Sequence, residues 1–139
     1  LFKNISNKNK KKSKPKLLTY VLENGTLISV GKNNTQNEYL THKLAAPNEM
    51  WFHIKDGAGS HVVVHNSNML NEDEIRTAAI LAAYYSTYSS SSSVQVDYTK
   101  IRNIKKIPGK KNCFVTYTNQ KTIYIDPNLK FIEKLKVKK

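Results

Sequence analysis

An α+β domain, built on a mostly antiparallel sheet of six to seven short strands with two main helices, is the fold this sequence predicts. Three observations carry that expectation. Short apolar or alternating runs recur, separated by Gly, Pro and Asn turn signals. Only two stretches, 36–45 and 71–87, show helical spacing. Two runs flank a Gly-rich loop in Trp51-Phe-His-Ile-Lys-Asp-Gly-Ala-Gly-Ser-His-Val-Val-Val-His65, the stretch that holds the only tryptophan and three of the four histidines.

The elements follow in order. Leu17–Leu22 and Thr26–Val30 read as strands across Asn24-Gly25, a type I′ hairpin signal because that turn needs positive φ at both central residues. Gln36–Ala45 reads as a helix ended by Pro47, with Asn34 or Thr35 as its cap. Its N-terminus, beside Lys32, Asn33 and Asn34, is a candidate anion site through free N–H groups and the helix dipole. Met50–Lys55 and Ser60–His65 form the central hairpin. Asn71 caps a helix to about Thr87, with three acids in its first turn and a stripe of Ile75, Ala78, Ala79, Ala82 and Ala83 that lets it lie close on a sheet. Val94–Thr99, Cys113–Thr118 and Lys121–Ile125 complete the strands. Ile101, Ile104 and Ile107 lie between the first two, before the Pro108-Gly109 turn. A short helix is expected after Asp126.

In the central hairpin, Met50, Phe52 and Ile54 point to one face and Trp51, His53 and Lys55 to the other. The first face reads as core and the second as a surface that meets a partner. A Gly57-Ala58-Gly59 loop pairs Lys55 with His61 and Trp51 with His65, gathering His53, His61 and His65 on one face. A loop one residue longer sends His61 and His65 to the other side.

The chain has 139 residues and a net charge of +13. The first residue is Leu, so we expect a piece of a longer protein. Residues 1–16 carry seven Lys and no acid, and read as a disordered basic linker. Residues 130–139 carry five Lys and one Glu, and read as a basic tail. The intervening 17–129 is nearly balanced but polarised: Lys100, Arg102, Lys105, Lys106, Lys110, Lys111 and Lys121 occur with no acid between them. Clustered positive charge suits a polyanion. An AT-rich genome also yields many Lys and Asn. The single Cys113 excludes a disulfide framework and favours a reducing, cytoplasmic setting. No apolar run approaches a membrane span.

His53, His61 and His65 with Asp56 invite a metal or acid–base reading. Zinc sites need three or four ligands, and the register that gathers these side chains is itself conditional. The motifs HExxH, GxSxG, CxxC and the P-loop are absent. We therefore expect neither catalysis nor a cofactor. Asp56-Gly-Ala-Gly-Ser60 can offer backbone N–H groups to phosphate or be a plain turn. Tyr98, Tyr117 and Tyr124 lie in the basic part, where an exposed ring can stack on an unpaired base.

Five motifs together resemble the NFACT-R domain of the RqcH/NEMF ribosome quality-control factors, once described in bacteria as fibronectin-binding proteins. They are Gly31-Lys-Asn-Asn-Thr-Gln-Asn-Glu-Tyr-Leu-Thr41, Trp51 to Val64, Ala78–Tyr85, Val96-Asp-Tyr-Thr99 and Gln120-Lys-Thr122, in family order over about residues 17–127. The resemblance implies that 1–16 leaves a preceding coiled coil and that 17–129 is the RNA-binding domain. It implies tRNA, large-subunit rRNA and the large ribosomal subunit as partners, in support of C-terminal alanine tailing of stalled chains. It points to Lys32, Asn33, Asn34, His53, Lys55, Asp56, Ser60 and His61 as the family site, and the basic run adds Lys105, Lys106, Lys110 and Lys111 as phosphate contacts. Lys32 stands where the family commonly has Arg, which keeps the charge and loses the bidentate fork. Gly57-Ala58 stands where Ile-Pro is common. The rival readings are a cell-surface adhesion protein and an RNA-processing domain using His53, His61 and Asp56.

Overall fold

A computed structural model describes residues 14–110 and 114–139. Strands β1 (Leu18–Val21) and β2 (Leu27–Val30) form the first hairpin. The turn between them is not type I′. Gly25 donates its N–H to the Leu22 carbonyl at 2.9 Å, and Thr26 donates to the Asn24 side chain. Only Gly25 has positive φ, at 90°. This is a three-residue loop in which a glycine supplies the one left-handed step. Helix α1 (Asn34–Tyr39) runs straight into a π-helical turn, Leu40–Leu44. Strands β3 (Met50–Ile54) and β4 (Val62–Val64) form the central hairpin, and helix α2 (Glu72–Tyr84) follows. Then come β5 (Val94–Lys100), β6 (Ile104–Lys106), β7 (Val115–Tyr117) and β8 (Lys121–Ile125). A short helix α3 (Leu129–Glu133) and a final strand β9 (Lys136–Val137) close the chain.

Seven strands make one sheet in the order β8-β5-β3-β4-β2-β1-β9, with every pair antiparallel. The fold class is the α+β arrangement expected. Strands β6 and β7 form a separate ribbon. Its first strand lies where the sequence shows only spaced isoleucines, too short a run to announce itself. The last residues are likewise drawn into the fold. Val137 pairs with Tyr20, and Ile132 is buried under α2, so the basic tail begins only after β9.

Two cores sit on opposite faces of the sheet. On one, Phe52, Ile54, Val62, Val64, Ile28 and Val30 pack against the alanines of α2. The alanines do what their size allows and bring the helix close to the strands. Asn71 and Glu74 cap α2 reciprocally, each side chain accepting the other's backbone N–H at 2.8 Å. The second Glu74 oxygen takes the Thr26 hydroxyl at 2.5 Å, tying the helix to the first hairpin. On the other face, Leu40, Trp51 and Val63 are fully buried beneath the π-helical turn and the β6–β7 ribbon. This face was expected to meet a partner. It is instead a second core, because Ile104, Val115 and Tyr117 fold back over it.

The hairpin register settles the histidines. Trp51 pairs with Val63 and Met50 with Val64, two residues away from the three-residue-loop register. A shift of two preserves parity. Trp51, His53, His61 and His65 therefore share a face.

Candidate nucleic-acid interface

Glycine 31 explains how the Gly31-to-Thr41 segment is placed. A Cβ there would meet the Asn37 side-chain oxygen at 2.2 Å and Asn37 backbone at 3.0 Å. The helix start thus rests directly on the end of β2, an approach only Gly permits. Asn37, buried, accepts the backbone N–H of His61 at 3.0 Å. This clamps α1 to the start of β4. Asn33, rather than Asn34 or Thr35, caps the helix: its side chain accepts the Gln36 N–H at 2.9 Å. Gln36 reaches back to accept the Lys32 N–H at 2.9 Å. Two donors expected to await an anion are already taken. What Lys32, Asn33 and Asn34 present outward is exposed side chain. The Lys32 ammonium lies 5.5 Å from the Tyr85 ring centroid, a cation–π contact that holds it beside the Gly57–Gly59 loop.

That loop reverses direction at Asp56, whose φ is +54°. Asp tolerates the left-handed region better than most residues. Its carbonyl accepts the Tyr88 hydroxyl at 2.7 Å. Neither loop glycine needs positive φ. They are needed for closeness: a Cβ on Gly57 would meet Ile54 and Tyr88 at 2.8 Å, and one on Gly59 would meet Ser86 at 2.8 Å. Ser60 donates to the Tyr85 carbonyl and Thr87 to that of Ala58, so the loop is stitched to the end of α2.

The histidines are structural in their settings. His61 is 3% exposed, and its Nδ1 lies 2.6 Å from the Thr41 hydroxyl. His65 sits farther along the strand, between Glu49 at 3.0 Å and Ser29 at 2.9 Å. His53 is half-buried and stacks on Trp51, with ring centroids 5.5 Å apart and planes within 4°. Its Nδ1 donates to the Ile54 carbonyl at 2.6 Å. Burial pulls the imidazole below its ordinary range, against hydrogen bonds to the Ile54 and Gly59 carbonyls and the field of Asp97. Among the described residues no group of three or more His, Cys, Asp or Glu can hold a metal.

Asp97 appears in the sequence only as part of the Val96-Asp-Tyr-Thr99 motif, with no role assigned to it. It is 2% exposed. One carboxylate oxygen accepts the Tyr117 hydroxyl at 2.7 Å and the other the Thr122 hydroxyl at 2.6 Å. It therefore joins the ribbon, the sheet centre and the β8 edge. Burial and the Asp97 bond push the Tyr117 phenol well above its ordinary value. Asp97 and Thr122 stand in two separate motifs, Val96-Asp-Tyr-Thr99 and Gln120-Lys-Thr122, and no spacing rule links them.

The lysines divide. Lys105 projects from the outer side of the ribbon, and Lys110 and Lys55 are exposed. Lys106 turns back and pairs with Glu38 at 2.7 Å, fastening the ribbon to α1. Ser60 is buried, and Lys111 lies outside the described residues, as does Cys113. Of the tyrosines, Tyr98 stacks on Phe52 in the main core while Tyr124 is exposed at the β8 edge. The structure thus brings Lys32, Asn34, His53, Asp56 and the glycine loop to one end of the sheet, beside the ribbon that carries Lys105.

The profile of the NFACT protein RNA binding domain matches residues 16–116. The chain belongs to the NFACT RNA-binding domain family. Curated relatives agree. Rqc2 homolog RqcH of Bacillus subtilis is 50% identical over 129 residues, covering 93% of this chain and 22% of that protein. Rqc2 homolog RqcH of Streptococcus pneumoniae is 47% identical over 123 residues, covering 87% of this chain and 22% of that protein. The chain spans less than a quarter of the length of these relatives. Among solved structures, the C-terminal part of the fibronectin/fibrinogen-binding protein from Streptococcus suis is similar with a TM-score of 0.80 at 42% identity. That similarity covers 92% of this chain and 53% of the other. The expected NFACT-R resemblance is borne out. No helix among the described residues is long and apolar enough to cross a membrane.

Proposed function

We propose that this domain binds the phosphate backbone of structured RNA, tRNA or large-subunit rRNA, as a non-enzymatic module of a cytoplasmic ribosome quality-control factor. In that role it helps hold tRNA on a stalled large ribosomal subunit while alanines are added to the nascent chain. Supporting it are the family match and its RqcH relatives. The observation that carries it is the exposed cationic edge around one end of the sheet: Lys32 beside the glycine loop, Lys105 on the ribbon and Lys110 at its turn. Lysine is a point charge without base-reading geometry, so these contacts give affinity and orientation with little sequence preference. The test is tRNA binding by filter retention, comparing the chain with Lys105→Glu/Lys110→Glu. Weaker binding by the variant supports the reading, and unchanged binding removes its electrostatic basis.

The Streptococcus suis neighbour is named a fibronectin/fibrinogen-binding protein, so a second reading is adhesion to a matrix protein. Immobilised fibronectin and tRNA in competition for this chain separate the two. Fibronectin capture that tRNA does not reduce favours adhesion at a separate surface.

A further inference from the structure

Between the glycine loop and the β6–β7 ribbon lies a cleft of about 340 Å³, walled by Phe114, Val115, Ile107 and Tyr117 on one side and by Asp56 to Gly59 on the other. His53, Trp51, Asn34 and the buried Asn37 also line it. We propose that this cleft receives an unstacked nucleobase of the bound RNA, with Phe114 as the stacking platform. This deepens the RNA-binding reading and rests on it.

Four observations point there. Phe114 is 51% exposed, although its neighbour Val115 packs inward. A half-exposed aromatic ring at the mouth of a cleft is what a base needs for stacking. Among the described residues the lining has no Lys or Arg and includes Asp56, a setting that disfavours a phosphate. The lysines stand outside it. Lys105 and Lys110 flank Ile107 in sequence, and Lys32 lies across the loop, so the backbone is held at the rim while the base turns inward. Finally, the polar groups lining the cleft fit a base edge. Asn34 is exposed at the rim. His53, held by the Ile54 carbonyl and stacked on Trp51, gives the cleft a fixed aromatic wall. The buried Trp51 indole N–H has no acceptor among the described residues.

The test measures anisotropy of end-labelled RNA with the chain, using an oligocytidine strand and an RNA duplex of equal phosphate number at equal salt. The single strand is expected to bind about five-fold or more tightly than the duplex, the scale of one base–aromatic stack. Phe114→Ala erases that preference, whereas Phe114→Tyr retains it. The half-exposed position makes both variants compatible with folding, which thermal melting checks. If Phe114→Ala keeps the full preference, or if the duplex binds at least as well as the single strand, the cleft is not a base site, and RNA binding through the lysines stands. If neither RNA binds at any salt, the RNA-binding reading falls and takes this proposal with it.

Discussion

Removing the Asp97 carboxylate is the perturbation that separates this account of the second core from simple hydrophobic packing. The carboxylate accepts two hydroxyls, from Tyr117 at 2.7 Å and Thr122 at 2.6 Å, at a site with 2% exposure. A hydrogen bond to a charged group contributes about 1.5–3 kcal/mol, and a buried partner left unpaired adds its desolvation cost. Asp97→Ala should therefore cost about 3–5 kcal/mol. Asp97→Asn, which keeps one acceptor oxygen, should cost about half that on the same scale. For a chain of this size, 3–5 kcal/mol corresponds to a fall in Tm on the order of 10 °C or more. Urea unfolding followed by Trp51 emission measures it, since the only tryptophan sits fully buried beneath the ribbon. Pairing Asp97→Ala with Tyr117→Phe should give a coupling energy of about 1–2 kcal/mol, within the range for residues in contact. A cost for Asp97→Ala below about 1 kcal/mol, on the scale of one ordinary hydrogen bond, would refute the reasoning. So would additivity with Tyr117→Phe. Either result would mean that the Asp97 bonds do not hold the ribbon, which then rests on packing and the Lys106–Glu38 pair.

Three further outcomes follow from the geometry. Gly31→Ala forces α1 off the end of β2, because the new methyl meets Asn37 backbone at 3.0 Å. It breaks the Asn37–His61 bond and should cost about 2–4 kcal/mol by chemical denaturation, as overpacking plus a lost buried bond. His53 is neutral in the fold below its ordinary range, so the unfolded chain takes up its proton first as pH falls. Its contribution is complete above about pH 6.5 and declines below that towards the depressed folded value, with a slope of about 1.4 kcal/mol per pH unit for one proton. His53→Gln should flatten the denaturation midpoint in that window. Glu74 acts lower. Burial works to raise its carboxyl, but hydrogen bonds from Thr26, Asn71, Asn66 and Asn24 outweigh it, so its stabilisation is present above pH 4.5 and lost as pH falls below. Thr26→Val should move the acid unfolding transition to higher pH, read by circular dichroism.

The sheet, the long helix and its cap were legible because each rests on local pattern: alternation, the alanine stripe, Asn71 before three acids. The shared face of the histidines was legible only to parity, since a register two residues off gives the same sidedness. What covers that face was not legible. Residues Ile104–Lys106 and Val115–Tyr117 are three-residue strands whose pairing is fixed by tertiary contact. Trp51, His53 and Lys55 accordingly read as one open surface, although only the His53–Lys55 end remains accessible. The lysines looked alike in sequence, yet strand alternation sends Lys105 outward and Lys106 back to Glu38. Asp97 carried no local signal, because its two partners lie 20 and 25 residues away.

The central claim is that exposed lysines at one end of the sheet hold RNA by its phosphates. It is tested most directly by the salt dependence of tRNA affinity, between about 50 and 200 mM, for the chain and for Lys105→Glu/Lys110→Glu. Each phosphate contact contributes about 0.7–0.9 to the slope of log affinity against log salt. The account predicts a steep negative slope that the double variant reduces by about 1.5–2, on the same per-contact scale. A slope near zero, or one identical in the two proteins, would contradict it.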